Sequence, residues 1–322
     1  MLLVLCGIIL AIVAHTRQSP LAELEQKRVR LIQYIFKEGN LPASYPDKID
    51  PNYTDSSSRA SSERYTVRMR NNITSEAYLY LAENKSENLM IVVGSHDCDV
   101  RECMAPEIAY FLGTGYSVLA ISLPAADGDA WHSRHYKLAE LETGDFSPIS
   151  YFVEPVARSL NYAIGRHGFS DVAMTGFSGG GWLTVLYSAL DTRVQRSYPV
   201  AGSLPRDYRE EGSELEDYYD PALPELRKIA AYYDYEQALP ALYSIANYYD
   251  LYLLGASPRP RSQVQILNLD DSCCFKGRVY LERPYAQMLG KELEKMGGGS
   301  IRVVVLNLSR HEFSPDALAL IR

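Results

Sequence analysis

The chain has 322 residues, 47 % of them hydrophobic, and a formal net charge of −8. That apolar share supports a packed core and excludes a disordered polymer. The acidic balance lacks the basic footprint of a nucleic-acid binder, so no nucleic-acid partner is expected.

Met1 to Ala14 is almost entirely apolar, about half the length that spans a bilayer as a helix. It reads as the h-region of a secretory signal, residues 1–16, although no Lys or Arg precedes it and no A-x-A site follows. A trimmed membrane anchor gives the same pattern. The expectation is a secreted or periplasmic protein, touching a membrane only through this segment if it is uncleaved. Cys6 lies in the leader. Cys98, Cys103, Cys273 and Cys274 leave an even count, which suits an oxidising compartment and allows three pairings; buried free thiols fit as well. None has zinc-ligand spacing.

Residues 17–62 read as an N-terminal helix and linker. Leu24, Val29, Leu31, Ile32, Tyr34 and Ile35 form an apolar face over 21–36. Pro, Asp, Asn and Ser cluster over 40–64, which reads as loop. Asn52, Asn72, Asn84 and Asn307 begin sequons that matter only in a eukaryotic secretory route.

From residue 63 to 322 the pattern is that of one α/β domain. Short apolar or alternating runs at 65–70, 76–82, 89–94, 117–122, 171–175, 195–201, 263–269 and 301–306 predict strands. Helical patterns at 104–113, 150–166, 179–190, 284–295 and 314–321 lie between several of them. The first two strands follow each other directly, as in an antiparallel start. The later alternation predicts a mostly parallel central sheet with helices on both faces, whose reactive loops stand at the carboxyl ends of strands.

Residues 203–262 interrupt the alternation. The stretch is acidic, dense in tyrosine, and carries Tyr-Tyr-Asp at 218–220, 232–234 and 248–250. Helices are predicted over 224–238 and 240–254. A cap over a pocket and an excursion packed beside the sheet both fit. Its tyrosines are expected to pack the cap helices, with stacking on a sugar as the sharper alternative.

Gly176-Phe177-Ser178-Gly179-Gly180 contains G-x-S-x-G. Ordinary residue frequencies supply that motif by chance in roughly one such chain in ten, so its context decides. Asp171 to Thr175 reads as a strand before it and Trp182 to Leu190 as a helix after it, the strand–turn–helix setting of a nucleophile elbow. Side chains at 176 and 180 would collide with neighbouring backbone, and the helix start aims N–H groups at a reacting carbonyl. A phosphate-binding turn is disfavoured, because neither the Walker lysine nor G-x-G-x-x-G spacing is present.

With these residues, the chain resembles the α/β-hydrolase superfamily over nearly all of its length after about residue 63. It looks like the esterase, lipase and peptidase branches, where serine is the nucleophile. The resemblance implies a base after the last strand, and His311 stands there. Chain order agrees, since only a late histidine on a carboxyl-end loop completes Ser…Asp…His. His15 lies by the leader, His167 on the amino-terminal side of the elbow strand, and His96, His132 and His135 after earlier strands. The resemblance implies an acid after strand 263–269. It selects Asp271, with Asp270 as a competing turn residue. Gly179 is one expected oxyanion donor. The other comes from Gly94-Ser95-His96, with Ser95 assigned through its backbone and His96 as the neighbouring alternative. Cys98 and Cys103 share that loop, and Cys273 and Cys274 flank the acid, so bridges there would pin both loops.

Asp127, Asp129, His132 and His135 could ligate a metal, but an ordinary polar loop is the expectation; no cofactor and no metal site is assigned. The functional expectation is hydrolysis of a small-molecule or polymeric carboxylic ester through an acyl-enzyme on Ser178. The alternatives are a peptidase or acyltransferase with the same triad, and a non-catalytic binding protein of this fold.

Overall fold

The computed structural model describes residues 19–55, 60–96, 98–124, 135–209 and 235–321. The leader, Asp127, Asp129, His132 and the first part of the helix read at 224–238 lie outside the described residues.

Helix α1 (Pro20–Phe36) starts at Ser19, whose side chain accepts from the Ala22 N–H, with proline in the first turn; it stops at Lys37 in the left-handed region. Its buried face is Leu24, Leu31, Ile32 and Ile35, joined by Arg28. Nine strands then build one sheet: β1 (Lys48–Tyr53), β2 (Ser62–Arg68), β3 (Thr74–Tyr80), β4 (Asn88–Val93), β5 (Ser117–Ile121), β6 (Asp171–Phe177), β7 (Val194–Val200), β8 (Ser262–Asn268) and β9 (Ser300–Leu306). Their order is β1-β2-β3-β5-β4-β6-β7-β8-β9. The pairs β1–β2, β2–β3 and β3–β5 are antiparallel. Every pair from β5–β4 to β8–β9 is parallel.

Strand β1 falls where the sequence reads as linker. Its Lys-Ile-Asp-Pro-Asn-Tyr carries three turn-forming residues, which hide it, and its register shifts between Asp50 and Tyr53. An edge position accommodates Pro51, whose missing N–H costs no ladder bond on the solvent side.

Each central strand has apolar residues on both faces. In β4, Leu89, Ile91 and Val93 join one core with Leu31, Val156, Leu186 and Leu251. Met90 and Val92 join the other, with Ile108, Phe111 and Leu318. All five are fully buried, as expected of parallel strands covered on both sides. The first face is covered by α1, α4 (Ser150–His167) and α5 (Gly179–Leu190). The second face is covered by the turn α2 (Val100–Cys103), by α3 (Ala105–Gly113) and by the last helix, Pro315–Ala319.

The described part of the insertion holds α6 (Tyr235–Ala238), α7 (Pro240–Ile245) and α8 (Tyr248–Gly255). The single helix expected over 240–254 is therefore two. Ala246 is extended at φ −146°, and Asn247 restarts the helix in a capping box with Asp250, the arrangement that satisfies orphan N–H groups at a helix start. α8 packs on α5 and α1, so this part lies beside the sheet and thickens its first face. Its tyrosines fill that layer: Tyr248 and Tyr252 are buried, Tyr243 stacks on Tyr248 at 4.8 Å, and Tyr252 stacks on Tyr285 at 5.6 Å. Arg261 is buried beneath α8 and donates to the Val194 and Leu254 carbonyls at 2.8 and 2.7 Å, and to those of Ser188 and Ser257. Helices α9 (Gly277–Glu282), α10 (Ala286–Met296) and α11 (Pro315–Ala319) complete the chain. Among the described residues no helix is long and apolar enough to cross a membrane.

Candidate active site

Strand order fixes where chemistry can gather. The chain leaves β4 toward β5 on one side, and later places β6 on the other side of β4. Loops after β4 and β6 thus diverge at a topological switch point, where α/β sheets open a crevice at their carboxyl edge.

Ser178 sits there, between β6 and α5. Its backbone is at φ 55°, ψ −118°, a conformation few non-glycine residues adopt and which surrounding structure must enforce. The Ser178 N–H donates to Val200 O at 3.0 Å, and its carbonyl accepts from the Trp182 N–H at 3.0 Å. The turn closes tightly because position 180 has no side chain: a Cβ there would stand 2.5 Å from the carbonyl oxygens of both Val93 and Gly94. Gly179 is the first residue of α5, a position whose N–H has no partner inside the helix.

His311 and Asp271 meet on the loops after β9 and β8. His311 Nδ1 lies 2.9 and 3.0 Å from the two Asp271 oxygens. Asp271 is fully buried, and its Oδ1 also accepts from the N–H groups of Cys273 and Cys274 at 2.8 and 3.1 Å. A carboxylate with these partners accepts only, so Nδ1 carries the proton and Nε2 is left as the basic nitrogen. The two loops are laced together. Asn268 Nδ2, at the end of β8, donates to Arg310 O and Glu312 O, each at 2.9 Å, on both sides of His311. The His311 N–H donates to Ser272 Oγ at 3.1 Å, and the Asp270 N–H to Leu308 O at 3.0 Å. The His311 ring packs 4.6 Å from that of Phe177, the residue before Ser178. Asp270 points away into an exposed ion pair with Arg278 at 2.7 Å, and His167 pairs with Glu63 at 3.1 Å.

The loop after β4 carries His96 into a cluster with His135 and Glu236 that the sequence did not signal. The His96 imidazole covers Gly179, its Cε1 standing 2.4 Å from where a Cβ would be. His96 Nε2 lies 2.9 Å from Glu236 Oε1, and His135 Nδ1 lies 3.1 Å from both Glu236 oxygens. Glu236 comes from α6, fully buried. Burial alone would raise its pKa; the attraction of His135, with hydrogen bonds from His135 and His96, outweighs burial and holds the carboxyl well below its ordinary range. Tyrosines position α6: Tyr243 OH donates to Glu236 O at 3.1 Å and Tyr248 OH to Gln237 O at 3.1 Å, while Trp182 Nε1 donates to Tyr243 OH at 2.8 Å. Glu236 is 140 residues from His96 and 101 from His135, so no spacing pattern signals the cluster. His135 thus leaves the polar-loop setting expected of it for a buried carboxylate. Ser95 lies between Gly94 and His96, and its carbonyl oxygen stands 3.4 Å from Cys98 Sγ. Cys98 and Cys103 have Cα atoms 6.1 Å apart, within disulfide reach.

No family model matches the chain, and no curated protein does. Solved structures do. An acetyl xylan esterase from a Thermoanaerobacterium species superposes with a TM-score of 0.58 at 14 % identity, over 93 % of this chain and 94 % of that one. An acetyl xylan esterase from a Paenibacillus species gives 0.53 at 16 %, over 94 % and 92 %. Est1E from Butyrivibrio proteoclasticus gives 0.52 at 12 %, over 80 % and 93 %. The chain has the α/β-hydrolase fold. Within this fold, β6 and α5 form the elbow, and the loops after β4, β8 and β9 bring His96, Asp271 and His311 to the same edge of the sheet.

Proposed function

We propose that the protein is a serine hydrolase that cleaves a carboxylic ester. Ser178 Oγ attacks the ester carbonyl carbon while His311 Nε2 takes its proton. The resulting oxyanion accepts from the Gly179 N–H, at the positive end of α5, and from the Ser95 N–H on the loop after β4. Collapse of the intermediate breaks the bond to the alkoxy group, and the His311 imidazolium returns the proton to the departing alcohol. Water, deprotonated by His311, then attacks the acyl-enzyme and releases the acid and free Ser178. Asp271 holds the Nδ1 proton and stabilises the imidazolium.

The observation that carries this reading is the His311–Asp271 pair at 2.9 Å on the same sheet edge as the strained Ser178 turn. The names of the neighbours make short acyl esters, acetylated carbohydrates among them, the first substrates to test. The leader supports export, so the substrate would be met outside the cytoplasm. The test is labelling with a fluorophosphonate and turnover of p-nitrophenyl acetate. Active protein labels at Ser178, and Ser178→Ala lowers kcat by on the order of 10⁴–10⁶-fold. Folded protein that turns over the ester with Ser178 unlabelled or replaced would overturn the assignment.

A further inference from the structure

A second chemical centre lies beside the elbow, and none of its three side chains has a role in the reaction just described. His96, His135 and Glu236 each offer a ligand atom, and these atoms all lie within 4.8 Å of one another. We infer that His96, His135 and Glu236 bind a divalent transition-metal ion of the zinc class.

The hydrogen-bond inventory argues for a cation here. His135 Nε2 lies 3.2 Å from the Pro124 carbonyl, which only accepts, so Nε2 carries a proton. In neutral imidazole Nδ1 is then the lone-pair nitrogen, and it faces both oxygens of Glu236 at 3.1 Å. A bare lone pair against carboxylate is repulsive, so positive charge must lie between them, as a second ring proton in the metal-free chain or as a metal ion that displaces that proton. A metal ion supplies that charge while using both lone pairs. The Nε2–H to backbone carbonyl bond is the outer contact that fixes the tautomer of metal-ligating histidines. Two imidazoles and one carboxylate form the donor set of open zinc sites, which keep a fourth position for water or substrate. Tetrahedral zinc with bonds of about 2.1 Å separates its ligand atoms by about 3.4 Å; the nitrogen–oxygen contacts here are 2.9 to 3.1 Å and the ligand atoms all lie within 4.8 Å of one another, so the ion is admitted when the short contacts widen by a few tenths of an ångström and the imidazoles adjust around it.

The ligands are also prearranged. Glu236 is fixed through Tyr243 and Trp182, and the His135 ring packs at 5.0 Å against Phe152. His96 brings the site against Gly179. An ion held there adds positive charge next to the first N–H of α5. That consequence for catalysis rests on the ester-hydrolase reading; the binding itself does not.

The test is metal uptake by the full chain, stripped with a chelator and titrated with Zn²⁺ against a chromophoric competitor, then with Co²⁺ followed by its visible absorption. The expected result is one equivalent of Zn²⁺ per chain with a sub-micromolar Kd and tetrahedral-type Co²⁺ bands. Glu236→Gln and His135→Ala should each weaken zinc binding at least 100-fold. The His96 side chain is 23 % exposed, so His96→Ala provides a variant with little risk to folding and should weaken binding to a similar degree. Ser178→Ala should bind as the native chain does, which separates this site from the proposed nucleophile. A native chain, folded by circular dichroism, that takes up neither metal overturns the proposal. So does uptake unchanged in all three ligand variants.

Discussion

Replacing Asp271 by Asn tests the roles on the β8 and β9 loops most directly, because the structure dictates how the amide must orient. Asp271 Oδ1 accepts from two backbone N–H groups, at 2.8 and 3.1 Å. In Asp271→Asn the amide oxygen must stay there, since an NH₂ group would face two donors. The NH₂ then takes the Oδ2 place, 2.9 Å from His311 Nδ1. Nδ1 must become the acceptor, so the ring proton moves to Nε2 and the imidazole can no longer take a proton from Ser178. Shape and packing are kept, and the tautomer is reversed. Such a reversal costs about 10⁴-fold in kcat in serine hydrolases, or about 5.5 kcal/mol of transition-state stabilisation. The assay is steady-state hydrolysis of p-nitrophenyl acetate, with the rate of fluorophosphonate labelling as a second readout, because labelling needs the same proton transfer. Both rates should fall together while KM changes little. Asp270→Asn is the control: that side chain is exposed and pairs with Arg278, so its kcat should stay within about twofold of the native value, as for a surface ion pair. A folded Asp271→Asn protein with less than a tenfold loss, or an Asp270→Asn protein that loses more, would refute the reasoning.

Three further outcomes follow from the same contacts. Asn268→Ala removes two hydrogen bonds of about 1 kcal/mol each that fix the backbone on both sides of His311. It should lower kcat about tenfold with KM nearly unchanged; a variant destabilised in urea but with native kcat would deny the positioning role. Arg261→Met strips donors from five carbonyls, Asp191 O at 3.4 Å being the fifth, and two of them, Leu254 and Ser257, keep Arg28 as a second donor; urea unfolding should show a loss of about 3 kcal/mol with little change in m. Asp191 is buried, which alone would raise its pKa, but hydrogen bonding and attraction from Arg193 hold it below the ordinary carboxyl range. A depressed carboxyl stabilises the fold above its unfolded pKa and loses that contribution as pH falls through the folded one. The stability gap between the native chain and Asp191→Asn should therefore be full at pH 6 and shrink below about pH 4, as followed by chemical denaturation across that range.

Much of this architecture is legible in the sequence because local pattern and tertiary role agree. β4 reads Leu-Met-Ile-Val-Val, and a strand buried on both faces needs that run. The elbow is legible because Gly180 has no alternative: any Cβ would strike the carbonyls of Val93 and Gly94. What stays hidden depends on contacts between distant residues. β1 gains its place from β2, and its own Asp-Pro-Asn argues for a turn. The choice between Asp270 and Asp271 turns on which side chain the loop buries, and neighbouring aspartates look alike until His311 is placed. Asn247 is a start signal in the middle of a helical pattern, one that an amphipathic reading passes over.

The least legible part of the site also shows how the insertion joins the sheet. Trp182 belongs to the helix behind the elbow, yet its indole N–H donates to Tyr243 in α7, and Tyr243 donates onward to the carbonyl of Glu236. Glu236 then reaches back to His96, whose ring covers Gly179. The path leaves α5 and returns to its first residue, so the insertion is fastened to the elbow at both ends. A cap held by a few aromatic contacts would open freely. Here opening must separate a fully buried carboxylate from two imidazoles, and leaving such a group without partners costs several kcal/mol. This part of the insertion is therefore a fixed wall of the site, and any movement that admits substrate has to come from elsewhere on the rim.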